Sequence, residues 1–199
     1  MPYIIRPRGI RNAVATLLGS ALLLGAAPAV SSAAECPTGS ATISTALSQY
    51  GDNALYTLLS GSSFESGTQG WSLSNAYVVS GGAEGSSSSL QIGMGGVAVS
   101  PTVCVSAEEP TFRFFARRVS GWHSSLNVSL RWSEHGFPRS VSVGSINSGG
   151  SWTLSPALEL ATALELSESS GKIKVNIAFQ PSWGSTWAID DVYIDPYSR

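Results

Sequence analysis

From residue 55 onward the chain alternates apolar and polar positions with a period of two. Leu126, Val128, Leu130 and Trp132 alternate with Ser125, Asn127, Ser129 and Arg131. Ile173, Val175, Ile177 and Phe179 alternate with Lys174, Asn176 and Ala178, and Phe112, Phe114 and Ala116 with Arg113, Phe115 and Arg117. Successive side chains of a strand point to opposite faces, so this rhythm predicts half-buried antiparallel strands. Further strands are expected at 54–59, 71–79, 88–92, 97–105, 140–146, 151–154 and 187–194. Gly, Ser and Asn clusters at 80–85, 93–96, 147–150 and 167–171 supply the turns between them. One stretch, 157–166, breaks the rhythm: Leu160 and Leu164 lie four apart and predict a helical turn or two. Parity makes Trp71 and Trp132 core residues. Many short strands at regular spacing predict an all-β fold, an antiparallel β-sandwich of the jelly-roll kind.

The N-terminus reads differently. Arg6, Arg8 and Arg11 precede an apolar run from Val14 to Leu24, followed by small residues ending in Ser32-Ala33-Ala34. That order is expected of a secretory signal peptide over residues 1–34, and the apolar run is too short for a membrane span. Glu35 stands where a lipidation site before Cys36 would need a small residue, so soluble export is expected. Residues 35–53 then form an extension and 54–199 the β-sandwich domain. The processed chain of 165 residues is large enough to bury its own core and is expected to be a monomer, secreted and not membrane-embedded.

Composition narrows the field. Charged residues make up 12% of the 199, about half the roughly 25% usual for globular domains, while Ser and Gly number 36 and 21. Processing removes three of 11 bases and none of 13 acids, leaving a formal charge of −5. No basic cluster is present to neutralise phosphates, which excludes a nucleic-acid partner. The aromatic content excludes a disordered acidic chain. Cys36 and Cys104 are the only cysteines. In an oxidising compartment such a pair predicts one disulfide, tying the extension to a strand and contributing roughly 4 kcal/mol by loop entropy.

Two surfaces can bind a ligand. The parity opposite the core collects Arg113, Phe115 and Arg117, then Asn127, Ser129 and Arg131, then Lys174, Asn176 and Gln180. Side by side in one sheet, these strands would form a concave polar floor with one aromatic, suited to an oligosaccharide or an acidic glycan; a merely solvated sheet face is the alternative. The second surface is the loop aromatics: Trp122 beside His123, Phe137, and Trp183. Tryptophan in a polar turn can stack on a ligand or fold back over the end of the sandwich. Catalytic signatures are weak. The two histidines, His123 and His135, belong to no metal motif, no nucleophile elbow is present, and no pair of carboxylates is singled out as a glycosidase pair. Gly93-Met94-Gly95-Gly96 lacks the lysine of a phosphate loop. A non-enzymatic protein is expected.

Two segments carry a family pattern: Gly61-Ser62-Ser63-Phe64-Glu65-Ser66-Gly67-Thr68-Gln69-Gly70-Trp71, and the late Trp187-Ala188-Ile189-Asp190-Asp191-Val192-Tyr193-Ile194-Asp195. An early Phe-Glu-x-Gly … Gly-Trp with a late Ile-Asp-Asp-Val resembles the galactose-binding-like jelly rolls, especially carbohydrate-binding modules of the family 4/9/22 type, and more loosely MAM domains. The chain also looks like secreted single-domain proteins of actinobacteria. The resemblance implies a non-catalytic domain recognising a polysaccharide or glycoconjugate; the alternative is a structural or adhesive cell-envelope protein contacting other proteins. It also implies a structural calcium held by Glu65 and Asp190, whose carboxylates are hard donors. Parity with Val192 and Ile194 would point Asp190 inward, and a bulge would exchange its role with Asp191.

Overall fold

A computed structural model describes residues 43–109, 111–166 and 171–195. In chain order the strands are β1 (Ile43–Ser44), β2 (Tyr56–Leu58), β3 (Ser72–Ser80), β4 (Ser88–Val99), β5 (Val103–Val105) and β6 (Thr111–Ser120). They continue as β7 (Leu126–Glu134), β8 (Phe137–Ile146), β9 (Thr153–Leu154), β10 (Leu158–Glu159), β11 (Ile173–Pro181) and β12 (Thr186–Ile194). All pairings are antiparallel. The fold is a β-sandwich jelly roll, in which the short early strand β2 pairs the last strand, β12.

One sheet contains β12 flanked by β4 and β2 on one side and by β6 on the other, with β9 and β10 outside β6. The second runs β4/β5–β11–β7–β8. Strand β4 belongs to both. Ile92 pairs Trp187 of β12, whereas Ala98 pairs Phe179 of β11. The bend between them is the Gly93–Gly96 segment, which the sequence pattern marks as a turn. It is instead a bulge inside a continuous strand, wrapped around Asn75 of β3, itself at φ 46°. A Cβ on Gly96 would sit 2.6 Å from the Asn75 carbonyl oxygen, so the approach demands glycine there.

The apolar parity of both sheets meets in one core. Phe114 of β6 packs edge-on against Phe179 of β11 at 4.9 Å, and Trp71 stacks on Phe179 at 6.0 Å. Trp132 lies against this core as expected. Of the helical turn or two expected at 157–166, one hydrogen-bonded turn forms over 160–166 and no helix: Leu164 N donates to Leu160 O, Glu165 N to Thr162 O and Leu166 N to Ala161 O. Before it, Leu158 pairs Phe112 at the edge of β6, and Leu160 is buried in the core. Burial of Leu158 and Leu160 outweighs the weak helical spacing.

A second, smaller cluster lies on the outer side of the first sheet. Leu47, Tyr56, Ala83 and Phe115 are buried together, with Trp152, Leu154 and Tyr193 against them. The segment 47–56 is the cover. It is latched by Asp52, which accepts from the Tyr56 hydroxyl at 2.7 Å and the Arg113 guanidinium at 2.8 Å. Burial alone would raise the Asp52 carboxyl, but Tyr56, the Ala54 N–H and Arg113 outweigh it and bring it down to about 2. A depressed folded-state value stabilises the latch above the ordinary 3.8, and that gain is lost as pH falls toward about 2. Amide hydrogen exchange over 47–56 is therefore expected to quicken in that window in the wild type, and to be fast and nearly pH-independent in Asp52→Asn once intrinsic exchange is corrected for. Equal pH dependence in the two proteins would refute the latch.

Residues 1–34, the expected signal, and Cys36 lie outside the described residues. Cys104 sits on β5, paired in register with Lys174. Among the described residues no helix is long and apolar enough to cross a membrane.

Candidate functional site

The strands expected to share one polar floor do not all share it. β6 lies in the first sheet and β7 and β11 in the second, so Arg113, Phe115 and Arg117 leave the candidate face. Their environments give the physical reason. Phe115 is buried under the 47–56 cover, edge-on to Tyr50 at 5.4 Å. Arg113 is held by Asp52 and by the Ser155 carbonyl oxygen, and Arg117 lies 5.0 Å over the Trp152 ring. Period-two patterning marks which side chains face outward, but not what later covers them.

The outer face of the second sheet is different. The core takes Leu126, Val128 and Leu130 of β7 and Val175, Ile177 and Phe179 of β11, so their neighbours face out. The register arranges these in rows across the strands. Ser142, Ser129 and Ala178 form a middle row, continued by Val99. On one side stands a row of Ser145, Asn127 and Gln180, and on the other Ser140, Arg131 and Asn176, with Lys174 two residues beyond. On β7 and β11 the middle residues are short and the flanking ones long, which makes a shallow trough that continues over serines on β8. On β7 and β11 its walls are four residues apart, about 13 Å between backbones. Along this row Ala178 is only 1% exposed, Ser129 is half-buried and Ser142 is exposed, so the floor opens toward β8.

The walls are polar. Asn176 donates to the Ser100 carbonyl at 2.9 Å and to Thr102 Oγ1 at 3.2 Å, which fixes its amide against the β4–β5 corner. Arg131 and Lys174 take part in none of the ion pairs among the described residues, which join Arg113 to Asp52, Arg139 to Glu134 and Lys172 to Glu109. Such a face offers amide and hydroxyl hydrogen bonds and two cations, on a floor narrow enough for one extended chain.

The carboxylates implied for a metal lie elsewhere, on the outer side of the first sheet. β12 bulges between Asp190 and Tyr193, with Asp191 at φ 45° as the extra residue. Asp190 pairs with Phe115 and points outward rather than into the sandwich. It is nonetheless fully buried, because the 81–88 loop folds over it: Oδ2 accepts from Ala83 N at 2.9 Å and Ser86 Oγ at 2.6 Å, and Oδ1 from Asp191 N at 3.0 Å. Glu65 does not open a strand. It sits in the loop before β3 and accepts from Ser88 N at 2.8 Å. Glu84 is held by Gln49 and the Tyr50 hydroxyl.

Burial pushes the Asp190 carboxyl up to about 7, against the pull of Ser86 and Ala83. Asp191 rises to about 6 through burial and the charges of Glu65 and Glu84. None of these four acids is in an ion pair among the described residues. The donors are hard oxygens lacking a positive charge, which fits calcium in kind. No three His, Cys, Asp or Glu side chains there are grouped so as to hold a metal by themselves.

Trp122 and Trp183, the loop candidates, are both 87% exposed, and Phe137 is 68% exposed. They do not fold back over the sandwich. Phe137 opens β8 at the end away from both tryptophans.

No protein-family model matches the sequence, and a search of curated proteins finds no match. Solved structures do match. The tandem of two family 22 carbohydrate-binding modules from Paenibacillus barcinonensis Xyn10C superposes with a TM-score of 0.54 at 17% identity. The match covers 70% of this chain but only 44% of that one, so the chain spans less than half of the tandem. The first module alone, a xylan-binding domain, gives a TM-score of 0.51 at 17% identity over 67% of this chain and 90% of that one. With the two-sheet topology, these likenesses establish that the chain has the galactose-binding-like jelly-roll fold of carbohydrate-binding modules.

Proposed function

We propose that the chain is a secreted, non-catalytic carbohydrate-binding domain that seats a single glycan chain in the trough across β8, β7 and β11. The observation that carries this reading is the contrast between the two outer faces. One is sealed by residues 47–56, whereas the other presents a small-residue floor between walls of Asn127, Gln180, Arg131 and Asn176. Arg131 and Lys174 stand on one wall without a carboxylate partner among the described residues, which favours glycans bearing acidic groups. A calcium ion at Glu65 and Asp190 belongs to the same proposal; when bound it would supply the charge that the acids around Asp190 lack. The Cys36–Cys104 disulfide and export through residues 1–34 complete it.

The reading is tested with purified protein on a panel of soluble neutral and uronate-bearing oligosaccharides. Asn127→Ala with Arg131→Ala is expected to weaken binding by about tenfold or more, with little change in melting temperature because both side chains face solvent. Lys174→Ala is expected to weaken only acidic ligands, and that preference should shrink at high salt. Wild-type protein that binds no member of the panel would overturn the reading.

A further inference from the structure

The end of the sandwich that carries Trp122 and Trp183 is not explained by the trough. Trp122 lies in the turn between β6 and β7, and Trp183 in the turn between β11 and β12. Both turns cross from one sheet to the other between strands that pair at each side, Leu126 with Pro181 and Ser120 with Thr186, and the backbone clamps them together. Ser182 N donates to the Ser125 carbonyl at 2.8 Å, and Ser125 N to Ser182 Oγ at 3.0 Å. Within each turn a serine closes the loop: Ser124 Oγ donates to Gly121 O at 3.1 Å, and Ser185 Oγ to Ser182 O at 2.7 Å. Gly121, at φ 93°, lies so close to the second turn that a Cβ would be 2.5 Å from Ser185 Cβ. The two tryptophans are therefore carried on one rigid double turn.

The bulge of β4 joins the same end. Ile92 pairs with Trp187 and Ala98 with Phe179, so residues 93–96 pass alongside the β11–β12 turn, and Met94 is 54% exposed there. The β8–β9 loop also belongs to this end, since Arg118 N donates to Gly149 O at 2.9 Å. Isolated surface hydrophobics are ordinary, but two nearly bare tryptophans on clamped neighbouring turns are not scattered singly. Leaving two such side chains in water forgoes stabilisation that folding them back would bring.

Charge identifies the occupant. Segments 121–125, 182–185, 93–96 and 147–151 contain no Asp, Glu, Lys or Arg, and His123 is their only titratable side chain; the bases behind them, Arg117 over the Trp152 ring and Arg118, lie on β6 and not on the tryptophan turns. The acids Glu108, Glu109, Glu134 and Glu159 lie at the other end, around the starts of β6 and β8. A membrane surface with anionic lipids would call for lysine or arginine around the aromatics, and an acidic or basic partner for an opposite charge. Flat aromatic rings among uncharged serines and glycines fit the apolar C–H face of uncharged pyranose units, with ring stacking in place of ion pairing.

We propose that this end is a second glycan-contact surface, on which Trp122 and Trp183 stack against neutral polysaccharide, independently of the trough. It rests on the reading of the protein as glycan-binding but uses other residues, a different end of the fold and a neutral rather than an acidic ligand. The test compares the wild type, Trp122→Ala/Trp183→Ala and Asn127→Ala/Arg131→Ala. The probes are insoluble xylan, microcrystalline cellulose and insoluble galactan, the soluble oligosaccharide panel, and phosphatidylcholine vesicles with and without phosphatidylserine.

The tryptophan variant is expected to lose about tenfold or more of its retention on at least one insoluble neutral polysaccharide. Its binding to soluble oligosaccharides and its melting temperature should stay as in wild type, since both residues are exposed. The trough variant should show the converse. Wild-type retention of the tryptophan variant on every polysaccharide would overturn this inference while the trough reading stands. Loss of binding confined to vesicles would assign the end to a lipid surface and overturn it likewise. Absence of wild-type binding to soluble and insoluble glycans alike would overturn both.

Discussion

Truncation of Phe114 to alanine is expected to destabilise the domain by about 3–5 kcal/mol and to lower its melting temperature by roughly 10 °C. Phe114 has no exposed surface, meets Phe179 of the opposite sheet edge-on at 4.9 Å, and lies beside Phe112 at 6.2 Å. It is an inter-sheet contact near the middle of the sandwich, where the backbone of two hydrogen-bonded sheets cannot collapse to fill the space of a lost ring. The next residue provides the control. Phe115 is just as buried, but in the outer cluster under the 47–56 cover. Phe115→Ala should therefore free that cover to proteolysis and cost less in global melting. Equal losses in the two variants would show that inner and outer clusters unfold as one, against the division between them.

Stability of the cation-free protein is expected to fall as pH rises from about 4 to about 7. Asp190 and Asp191 have folded-state values near 7 and 6, above the ordinary 3.8. In that window the folded form holds protons that the unfolded form has released, so unfolding gains as pH rises, and the curve is flat above about 7. The charge of neighbouring Asp191 adds to the rise at Asp190, after burial. For fully buried Asp190 the effect reaches roughly 4 kcal/mol as an upper figure. The charges that act on the pair are those of Glu65 and Glu84, with Tyr193 beside them, and Arg113 on the adjacent β6 is taken by Asp52.

Calcium should remove the slope, raising the melting temperature strongly at pH 7.5 and little at pH 4. Asp190→Asn should flatten the cation-free profile. Calorimetric melting with chelator across this range checks both statements separately. A chelator without effect at pH 7.5 would refute the structural calcium, and a cation-free stability that rises from pH 4 to 7 would refute the account of the buried carboxylates.

Much of the fold was legible in the chain. Strands β7 and β11 follow the period-two pattern most closely, because each turns one apolar face to the core. The exceptions share a cause. Gly93–Gly96 looks like a turn locally, yet it bends one strand from one sheet into the other around Asn75. Leu160 and Leu164 have helical spacing, yet the core takes Leu158 and Leu160 from an irregular segment. Asp190 has inward parity, yet the bulge at Asp191 turns it outward. In each case a contact distant in sequence overrides a local preference.

The candidate site divided along the same line. Asn127, Arg131, Lys174 and Asn176 were identifiable as outward-facing polar residues, and pairing of β7 with β11 gathered them. Arg113, Phe115 and Arg117 have the same alternation but were lost to the site when β6 joined the other sheet. The small middle row of Ser129, Ser142 and Ala178 gave no signal in the chain, since a trough is a property of three strands in register. Trp122 and Trp183 lie 61 positions apart, and nothing local shows that their turns are clamped together.

By itself the sequence determined that the chain makes short antiparallel strands, which faces are apolar, and that charge is scarce. These follow from side-chain chemistry and the two-residue repeat of a strand. Only the tertiary structure decided which strands are neighbours, which outer face is sealed, and that two turns without charged residues bring both bare tryptophans to one end. Those depend on pairings between residues far apart in the chain, where the free energy belongs to the assembled sheets and to no single segment.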